Sequence, residues 1–247
     1  MTRIHRKKIT TSALVVVALA GLAWAFMDYR SWLSLGPGGV PYNLAGWAQV
    51  TWFRLWKHDP LDTTLFDRNI GQPGDVRGLG ELLARAGPRP HIDPHPIPHR
   101  QRDQHGDEPA RQELKQVFDD KVKGDALLLT YRTSQFERRN EAVSLREPDK
   151  GNAATNARGE IAHIHPSDGS MHMTLSPSDA KKVIEAGWGE LHALAGQNGR
   201  LPATYMMIYS PRNREEIAVA AQILEAAVTY AAGRPVKAPS LADPTAP

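Results

Sequence analysis

Cysteine is absent from this sequence of 247 residues. Its absence excludes disulfide bonds, thiolate metal sites and cysteine nucleophiles, whatever compartment the protein occupies. A strong net charge is also missing, because 30 basic side chains stand against 27 acidic ones and the net charge is only +3. Outside the first eight residues, no basic run carries interleaved aromatic residues. The sequence therefore does not predict a protein that binds nucleic acid.

A long uncharged run is present near the N-terminus, at residues 9–27. It is just long enough to cross a bilayer, and the basic segment MTRIHRKK (1–8) precedes it. This charge bias predicts a single-pass membrane anchor with a cytoplasmic N-terminus. The alternative is a cleaved signal peptide, since AWA at 23–25 fits a cleavage site with small residues at its first and third positions.

Five of the six tryptophans lie in the first quarter of the chain, which favours a retained anchor. The segment NLAGWAQVTWFRLW (43–56) has the apolar spacing of an amphipathic helix. Such a helix either lies in the headgroup region of a membrane or packs its aromatic side chains into a protein core. Both interpretations stay open.

The segment after the Trp-rich helix is irregular. Residues 79–87 (LGELLARAG) predict a short helix ended by a Gly-Pro pair. Residues 88–109 hold six prolines and four histidines, which excludes a helix or a central strand. Because the prolines prevent a helix, His91, His95 and His99 cannot line up on one helical face as metal ligands. An extended connecting loop is the prediction for this region.

Regular patterns resume at Ala110. Residues 110–124 predict a helix, and predicted strands follow at 125–133 and 140–145. Residues 146–159 have no apolar spacing and predict a polar loop.

Two alternating runs at 160–165 and 170–175 are separated by Pro-Ser-Asp-Gly, which is typical of a β-hairpin. A helix follows with Ser176 as its N-cap, and Asp179 is placed to return a hydrogen bond to the cap. Residues 203–210 then predict a third strand of this C-terminal part.

Asn213 with Glu216 caps a long final helix, and the tail from Gly233 is predicted to be disordered. This order of elements predicts an α+β fold with a β-β-α-β-α C-terminal core, in which helices pack against an antiparallel sheet. The predicted organisation is a basic segment with a membrane anchor (1–27), a Trp-rich helix with a Pro/His-rich connection (28–109), an α+β domain (110–232) and a disordered tail (233–247).

The hairpin carries three histidines. Alternation places His163 and His165 on one face of their strand, and the four-residue loop sets His163 opposite His172, with Cβ atoms roughly 5 Å apart. Met171 and Met173 go to the other face, which is the predicted core face. The histidines therefore line a separate polar surface, in the register that this loop length specifies.

Three interpretations of this histidine face remain open. Two close imidazoles cannot comfortably both be protonated, so one of them has a lowered pKa and can act as a general base. Alternatively, His163, His165 and His172 converge on one metal ion. The third interpretation is an ordinary cross-strand pair on a solvated face.

Further candidate residues follow the hairpin. Trp188 and His192 lie in a glycine-flanked loop at 187–196, where loop packing is the simpler role for Trp188. Arg212 and Asn213 precede a helix, whose free N–H groups together with a cation would hold an anionic oxygen. A surface ion pair is the simpler role for Arg212.

The stretch EIAHIHPSDGSMHMTLSPSDAKKVIEAGWGELHALAG, followed by YSPRNREEIAVAAQILEAAVTY, resembles the luciferase-like domain of the fungal luciferases. Weaker similarity extends upstream through DYRSWLSLGPGGVPYNLAGW, RPHIDPHPIPHRQRDQ and TSQFE. The resemblance therefore covers most of residues 28–232.

The resemblance implies an oxygen-dependent, flavin-independent enzyme that acts on 3-hydroxyhispidin or a related enolised pyrone. In that reaction a peroxide loses carbon dioxide and leaves an excited product. Histidine would remove the enol proton, and cations with N–H donors would stabilise the enolate. The implied catalytic set is His163 or His172 as base, His165 as orienting group, with Asp168 and His192 beside them, and the implied substrate-binding set is Trp188, Tyr209, Arg212 and Asn213.

The expected partners are a small hydroxypyrone, dioxygen and membrane lipid. No cofactor is expected beside dioxygen, with zinc or iron on His163, His165 and His172 as the alternative. The PSDG loop is shorter than in luminescent members of the family, which leaves two other functions open. One is an enzyme acting on a different small enolisable compound, and the other is a membrane-anchored binding protein without turnover.

Overall fold

The computed structural model describes residues 3–148, 157–197 and 200–233. Most of the predicted polar loop at 146–159 and all of the predicted disordered tail after Gly233 lie outside the described residues. Within the described part, the chain forms an α+β domain behind a long N-terminal helix, as the sequence predicts.

One antiparallel sheet of six strands organises the domain, in the order β1-β2-β3-β4-β6-β5. Its strands are β1 (Leu129–Thr133), β2 (Glu141–Leu145), β3 (Glu160–Ile164), β4 (Met171–Thr174), β5 (Gly189–Leu191) and β6 (Tyr205–Ile208). Strands that are consecutive in the sequence are also neighbours in the sheet, except that β6 inserts between β4 and β5. The β3–β4 hairpin of the sequence prediction is confirmed.

Strand β5 corrects the prediction of a loop at 187–196. Gly189 pairs with Ile208 at the sheet edge, and a Cβ atom on Gly189 would lie 2.4 Å from the Met207 carbonyl oxygen. The glycine therefore permits close strand pairing here, although flanking glycines in a sequence are more typical of a loop.

The predicted core face of the sheet is covered by helices. They are α3 (Glu108–Gly124), α4 (Pro177–Glu185) and α5 (Arg214–Ala232). Met171 and Met173 of β4 join Met206 and Ile208 of β6 in the main apolar cluster, together with residues of α3, α4 and α5. Burial of this face is the main source of the domain's stability.

The predicted cap of α4 forms in part. The Ser176 side chain accepts a hydrogen bond from the backbone N–H of Asp179, as expected of an N-cap. The Asp179 carboxylate does not return a bond to the cap, however. It is fully buried and accepts the N–H groups of Gly78 and Leu79, at 2.7 and 3.2 Å.

The short helix predicted at 79–87 is wrong, because this segment is extended and irregular. Its backbone groups find partners outside the segment. The Leu79 N–H donates to Asp179, the Arg85 N–H donates to the Ala186 carbonyl, and the Leu83 carbonyl accepts from the Trp188 indole. These tertiary bonds outweigh the weak helical propensity of a nine-residue stretch.

The N-terminal helix α1 runs from Arg3 to Leu33 without interruption, beyond the predicted end at residue 27. Its stretch Ala13–Leu33 is long and apolar enough to cross a membrane, and signal sequences meet the same criterion. Membrane crossing therefore stays an expectation. The last turns of α1 belong to the domain, because Trp32 is fully buried and its indole N–H donates to the Ile97 carbonyl at 2.8 Å.

The Trp-rich segment forms helix α2 (Leu44–Phe53), which ends in a 3₁₀ turn. The sequence leaves open whether these tryptophans pack into the protein or lie in the headgroup region of a membrane, and they differ in this respect. Trp47 packs against Tyr29 and donates to Asp28 at 2.7 Å. Trp52 and Trp56 are more than half exposed.

The Pro/His-rich region, predicted at 88–109, is irregular as far as residue 107, and several of its side chains are buried in the domain. The prediction is wrong for residues 108 and 109, which form the first turn of α3, where a proline is tolerated. Asp93 anchors the loop. It accepts hydrogen bonds from the N–H and the Nδ1–H of His95, at 3.0 and 2.5 Å, and pairs with Arg102 at 2.6 Å. The other ring nitrogen of His95 lies 3.3 Å from Asp28 at the end of α1.

The Asp93 carboxylate should make the free energy of unfolding depend on pH. Burial raises its pKa, but the hydrogen bonds from His95 and Arg102 prevail and lower the pKa from 3.8 to about 2. Because the folded pKa is lower than the unfolded one, the stabilisation is complete above about pH 4 and is lost as the pH falls towards 2. We expect Asp93→Asn to lower the free energy of unfolding by about 2 kcal/mol at pH 7.

Denaturant unfolding at a series of pH values measures this effect. The wild type should lose more stability than Asp93→Asn between pH 4 and pH 2. The matched control is Glu81→Gln, which neutralises an exposed carboxylate in an irregular segment and should behave as the wild type. Equal acid slopes for wild type and Asp93→Asn would contradict the prediction.

Candidate active site

The histidine face of the β3–β4 hairpin has the predicted register. His163 pairs directly with His172, and the His165 N–H donates to the Ser170 carbonyl at 2.8 Å. The imidazole centroids of His163 and His172 are 5.4 Å apart, and those of His165 and His172 are 4.8 Å apart.

This face is buried, so the interpretation as a solvated cross-strand pair is wrong. The exposed fraction is 1% for His163, 0% for His165 and 2% for His172. Two segments outside the sheet contact these rings. The ring centroid of His99, in the Pro/His-rich loop, lies 5.4 Å from that of His172. The Oε1 atom of Glu137, in the β1–β2 connection, lies 3.8 Å from the Nε2 atom of His165.

His99 and His192 enlarge the group to five buried imidazoles. The His99 ring lies 4.9 Å from the His192 ring and His192 lies 5.5 Å from His172, so His172 is central to the group. We call His99, His163, His165, His172 and His192 the histidine cluster. In the sequence, His99 stands out only as one of three candidate metal ligands on a helix, which the prolines exclude. The sequence does not predict that His99 lies beside the hairpin, because its loop follows neither strand nor helix periodicity.

Hydrogen bonds determine which nitrogen of each hairpin histidine carries the proton. The Nδ1 atom of His163 lies 2.7 Å from Glu160 Oε1, and that of His172 lies 3.0 Å from the Met206 carbonyl oxygen. Carboxylate and carbonyl oxygens only accept, so both Nδ1 atoms are donors. In the neutral rings, Nε2 then holds the lone pair.

His165 has the same arrangement through a hydroxyl group. Its Nδ1 lies 2.8 Å from Ser170 Oγ, and that hydroxyl donates to Asp168 Oδ1 at 2.7 Å. The serine oxygen therefore accepts from Nδ1–H. The Nε2 atoms of His163 and His165 are buried without a hydrogen-bond partner in the part of the chain that the structure describes.

His99 and His192 are oriented differently. The Nε2–H of His99 donates to Glu190 Oε1 at 3.1 Å, and its Nδ1 is buried without a partner among the described residues. His192 Nδ1 accepts the N–H of Leu194 at 3.1 Å. Tyr209, a predicted substrate-binding residue, donates its hydroxyl to Glu190 Oε2 at 3.0 Å and so supports the His99 pair.

Burial controls protonation in the histidine cluster. Desolvation, followed by the positive field of Arg100 and the neighbouring rings, lowers the pKa of His165 well below its usual value. Desolvation and the rings of His163 and His99 do the same for the pKa of His172. Desolvation and His99 lower the pKa of His192. These three imidazoles are neutral at pH 7.

A cavity of about 1080 Å³ opens beside the cluster. Its wall includes His99, His172, His192 and Tyr205, whereas Gln49 and Phe53 of α2 line it from the N-terminal side. The volume slightly exceeds the range of about 300–1,000 Å³ that is typical of small-molecule sites, so the cavity is large enough for such a ligand.

Tyr205 of β6 is a polar group that the sequence analysis did not identify. Its ring stacks on His172 at a centroid distance of 4.6 Å, and its hydroxyl is buried without a partner among the residues described. Desolvation and the nearby carboxylates of Glu160 and Glu137 raise its pKa well above 10. The hydroxyl stays protonated and is free to donate to an oxygen of a bound molecule.

Arg100 and Glu137 form a buried ion pair between the Pro/His-rich loop and the loop after β1. Two parallel bonds of 3.2 and 2.8 Å join the guanidinium to the carboxylate. The pair lies next to His165 and holds together two loops that cover the histidine face. Both residues lie in segments that contribute to the family resemblance, but no periodicity or motif in either segment predicts the ion pair.

The other predicted site residues lie in structural contacts. Trp188 packs in the apolar core and its indole donates to the Leu83 carbonyl at 2.6 Å. Arg212 pairs with Glu216, and the Asn213 side chain caps α5 by accepting the Glu216 N–H at 3.0 Å. Asp168 orients His165 through Ser170, and burial raises its pKa. The structure therefore groups Asp168 and Tyr209 with the histidine cluster, whereas the contacts of Trp188, Arg212 and Asn213 are structural.

Comparison with known proteins identifies relatives over almost the whole chain. A family model described as a luciferase domain matches residues 158–227, which include the hairpin, α4 and most of α5. The luciferase of Armillaria mellea is 33% identical over 240 residues, covering 92% of this chain and 89% of that protein. The luciferase of Armillaria gallica is 34% identical over 236 residues, covering 90% and 87%.

The luciferase of Neonothopanus nambi is 32% identical over 250 residues, covering 95% of this chain and 92% of that protein. No solved structure matches the chain. Identity of this level along nearly the full length of several proteins indicates that the whole chain, and not one motif alone, shares a common ancestor with them. The chain therefore belongs to the fungal luciferase family.

Proposed function

We propose that this protein oxidises an enolised hydroxypyrone of the 3-hydroxyhispidin type with dioxygen, releasing carbon dioxide and light. The supporting observation is a cavity of about 1080 Å³ whose wall combines a carboxylate-oriented histidine, His99, with the Tyr205 hydroxyl, which has no partner among the described residues. Its relatives are named luciferases, which supports light emission as the outcome.

The proposed reaction balances without an external electron donor. Loss of the enol proton gives an enolate, which transfers an electron to dioxygen and combines with the resulting superoxide to form a carbon-bound peroxide. The peroxide attacks the lactone carbonyl carbon and expels the ring oxygen as an enolate, which recovers the proton taken at the start, and a four-membered dioxetanone results. When the O–O and C–C bonds of this ring break, the former lactone carbon leaves as carbon dioxide. One oxygen atom of dioxygen leaves with it, and the other remains in the product as a carbonyl.

His99 is the proton acceptor in this proposal. Its Nδ1 lone pair has no partner among the described residues, and Glu190 stabilises the imidazolium that forms when Nδ1 takes a proton. The Glu160–His163 pair has the same chemistry, but His163 is absent from the cavity wall whereas His99 lines it. This position favours His99 over His163, one of the two bases that the sequence analysis names. His172, the other, lines the cavity too, but its Nδ1 faces a backbone carbonyl and not a carboxylate that would stabilise an imidazolium.

Tyr205 is the proposed donor to the enolate oxygen. A fixed hydroxyl that has already lost contact with water stabilises developing negative charge without reorganisation. Sequence analysis proposed Arg212 and Asn213 for this role. Arg212 pairs with Glu216 and Asn213 caps α5, so we assign the role to Tyr205 instead.

Incubation of the purified full-length chain with 3-hydroxyhispidin in air tests the proposal. We expect light, with one molecule of dioxygen consumed for each carbon dioxide released. Oxygen uptake without light would support an oxygenase that acts without emission. Saturable binding without oxygen uptake would support the binding-protein alternative and would contradict the proposal.

We also propose that α1 anchors the protein in a membrane through its apolar stretch Ala13–Leu33, which is largely exposed before Asp28. The full-length chain should remain with membranes after extraction at alkaline pH, whereas a chain that lacks residues 1–27 should be released. Release of the full-length chain would contradict anchoring and would favour a peripheral or processed protein.

A further inference from the structure

Three imidazole nitrogens of the hairpin converge on the same space. His163, His165 and His172 each offer a ring nitrogen, and these atoms lie within 4.8 Å of one another. As derived above, all three rings have Nδ1–H donating to a fixed acceptor, so all three lone pairs are on Nε2. Such a set of identically oriented tautomers is not required for stability, because it leaves the Nε2 atoms of His163 and His165 buried without a partner in the described chain.

We propose that His163, His165 and His172 bind one divalent first-row transition metal ion through their Nε2 atoms. Imidazole ligands suit zinc, iron, copper and nickel. Nothing in this inference depends on the proposed substrate or on light emission, so it stands or fails independently of the proposed function.

The acceptors behind the three rings match the outer shell of a metal site. Metal-bound histidines usually donate their other N–H to a carboxylate, a carbonyl or a water, which fixes the ring and raises its basicity. Here the acceptors are Glu160 for His163, the Met206 carbonyl for His172, and Ser170 with Asp168 behind it for His165.

The charges around the site also favour a cation. Glu137, Glu160 and Asp168 are all buried close to the hairpin histidines, at most 6% exposed. Arg100 compensates Glu137 through their ion pair. Burial of carboxylates is costly unless positive charge is near, and a divalent ion would supply it.

A second group, His99, His172 and His192, also has nitrogens within 4.8 Å of one another. Its hydrogen bonds argue against metal binding. His192 Nδ1 accepts the Leu194 N–H, so the proton of the neutral ring is on Nε2. The single lone pair of this ring, on Nδ1, is therefore already used by a backbone hydrogen bond and is not available to a metal ion. The two groups share His172, and the tautomers select the hairpin group.

Binding requires a small contraction of the hairpin group. Metal–nitrogen bonds of about 2.0–2.1 Å imply ligand nitrogens roughly 3–3.5 Å apart, which is closer than the present limit of 4.8 Å. Because His172 lines the cavity, an ion held here would be reachable from it. Glu137 Oε1, 3.8 Å from His165 Nε2, is the nearest carboxylate for a further ligand.

Cobalt(II) titration of the purified full-length chain, stripped with a chelator and then dialysed, tests the proposal without any substrate. We expect visible absorption bands that saturate at one ion per chain, and a melting temperature that rises with cobalt concentration. His165→Gln should weaken binding at least tenfold. Glu160→Gln, which alters only the outer shell, should weaken it about 10–100-fold.

His192→Gln is the matched control, because it alters a buried imidazole of the same cluster that lies outside the proposed ligand set. It should bind cobalt within twofold of the wild type. If His165→Gln does not fold, the wild-type stoichiometry and Glu160→Gln decide the outcome. The proposal is overturned if the wild type shows neither bands nor a melting shift, or if His192→Gln weakens binding as much as the hairpin variants do.

Discussion

Replacing His99 by glutamine should lower the rate constant for oxygen uptake by about 10²–10⁴, which is the usual contribution of a positioned general base. Glutamine is similar in length and can still donate to Glu190, but it cannot accept a proton at neutral pH. The loss should therefore fall on kcat, with a small change in KM. Steady-state oxygen consumption with 3-hydroxyhispidin measures both parameters.

His91→Gln is the matched control, since His91 belongs to the same loop and is exposed. It should retain wild-type activity. Glu190→Gln should reduce kcat less than His99→Gln does, because it removes the charge that stabilises the imidazolium but leaves the base. A His99→Gln variant that is folded and keeps kcat within a factor of three would exclude His99 as the base.

Replacing Arg100 by methionine should destabilise the protein by about 3–5 kcal/mol, because it leaves the buried Glu137 carboxylate without its cation. Glu137→Gln should cost less, since a neutral amide can still accept from Arg100. The double variant Arg100→Met with Glu137→Gln should recover part of the loss, because no charge is then buried unpaired. Denaturant unfolding of the four proteins gives the coupling energy directly.

The matched control for Arg100 is Arg138→Met, which removes an exposed arginine from the loop that contains Glu137. Its effect should be within about 0.5 kcal/mol. If Arg100→Met and Arg138→Met had equal effects, the Arg100–Glu137 pair would not hold the two loops together. A fully additive double variant would lead to the same conclusion.

The local sequence pattern was sufficient to predict the β3–β4 hairpin and its register. Alternating residues on either side of a four-residue turn leave one register that buries Met171 and Met173, and this register brings His163 opposite His172. The caps of α4 and α5 were predictable for the same reason. Each depends on a side chain and a backbone N–H three residues apart, as Ser176 and Asn213 show.

Local pattern failed where backbone groups have distant partners. The segment at 79–87 has the composition of a helix, yet it is held in an extended form by Asp179 and Ala186, about a hundred residues along the chain. Gly189 presents the opposite case, because glycine is typical of loops but here permits the close pairing of β5 with β6. In both cases tertiary hydrogen bonds decided the conformation.

The sequence alone determined the family, the α+β class, the apolar N-terminal helix and the histidine hairpin, because each depends on residues close together in the chain. Only the tertiary structure decided what covers that hairpin. Prolines exclude regular structure at 88–106, but they do not specify where the loop lies, so the contact of His99 with His172 was not predictable. The burial that lowers the pKa of His165 and of His172, and that leaves the Nε2 atoms of His163 and His165 without partners among the described residues, likewise arises from segments that are distant in sequence and meet only in the folded chain.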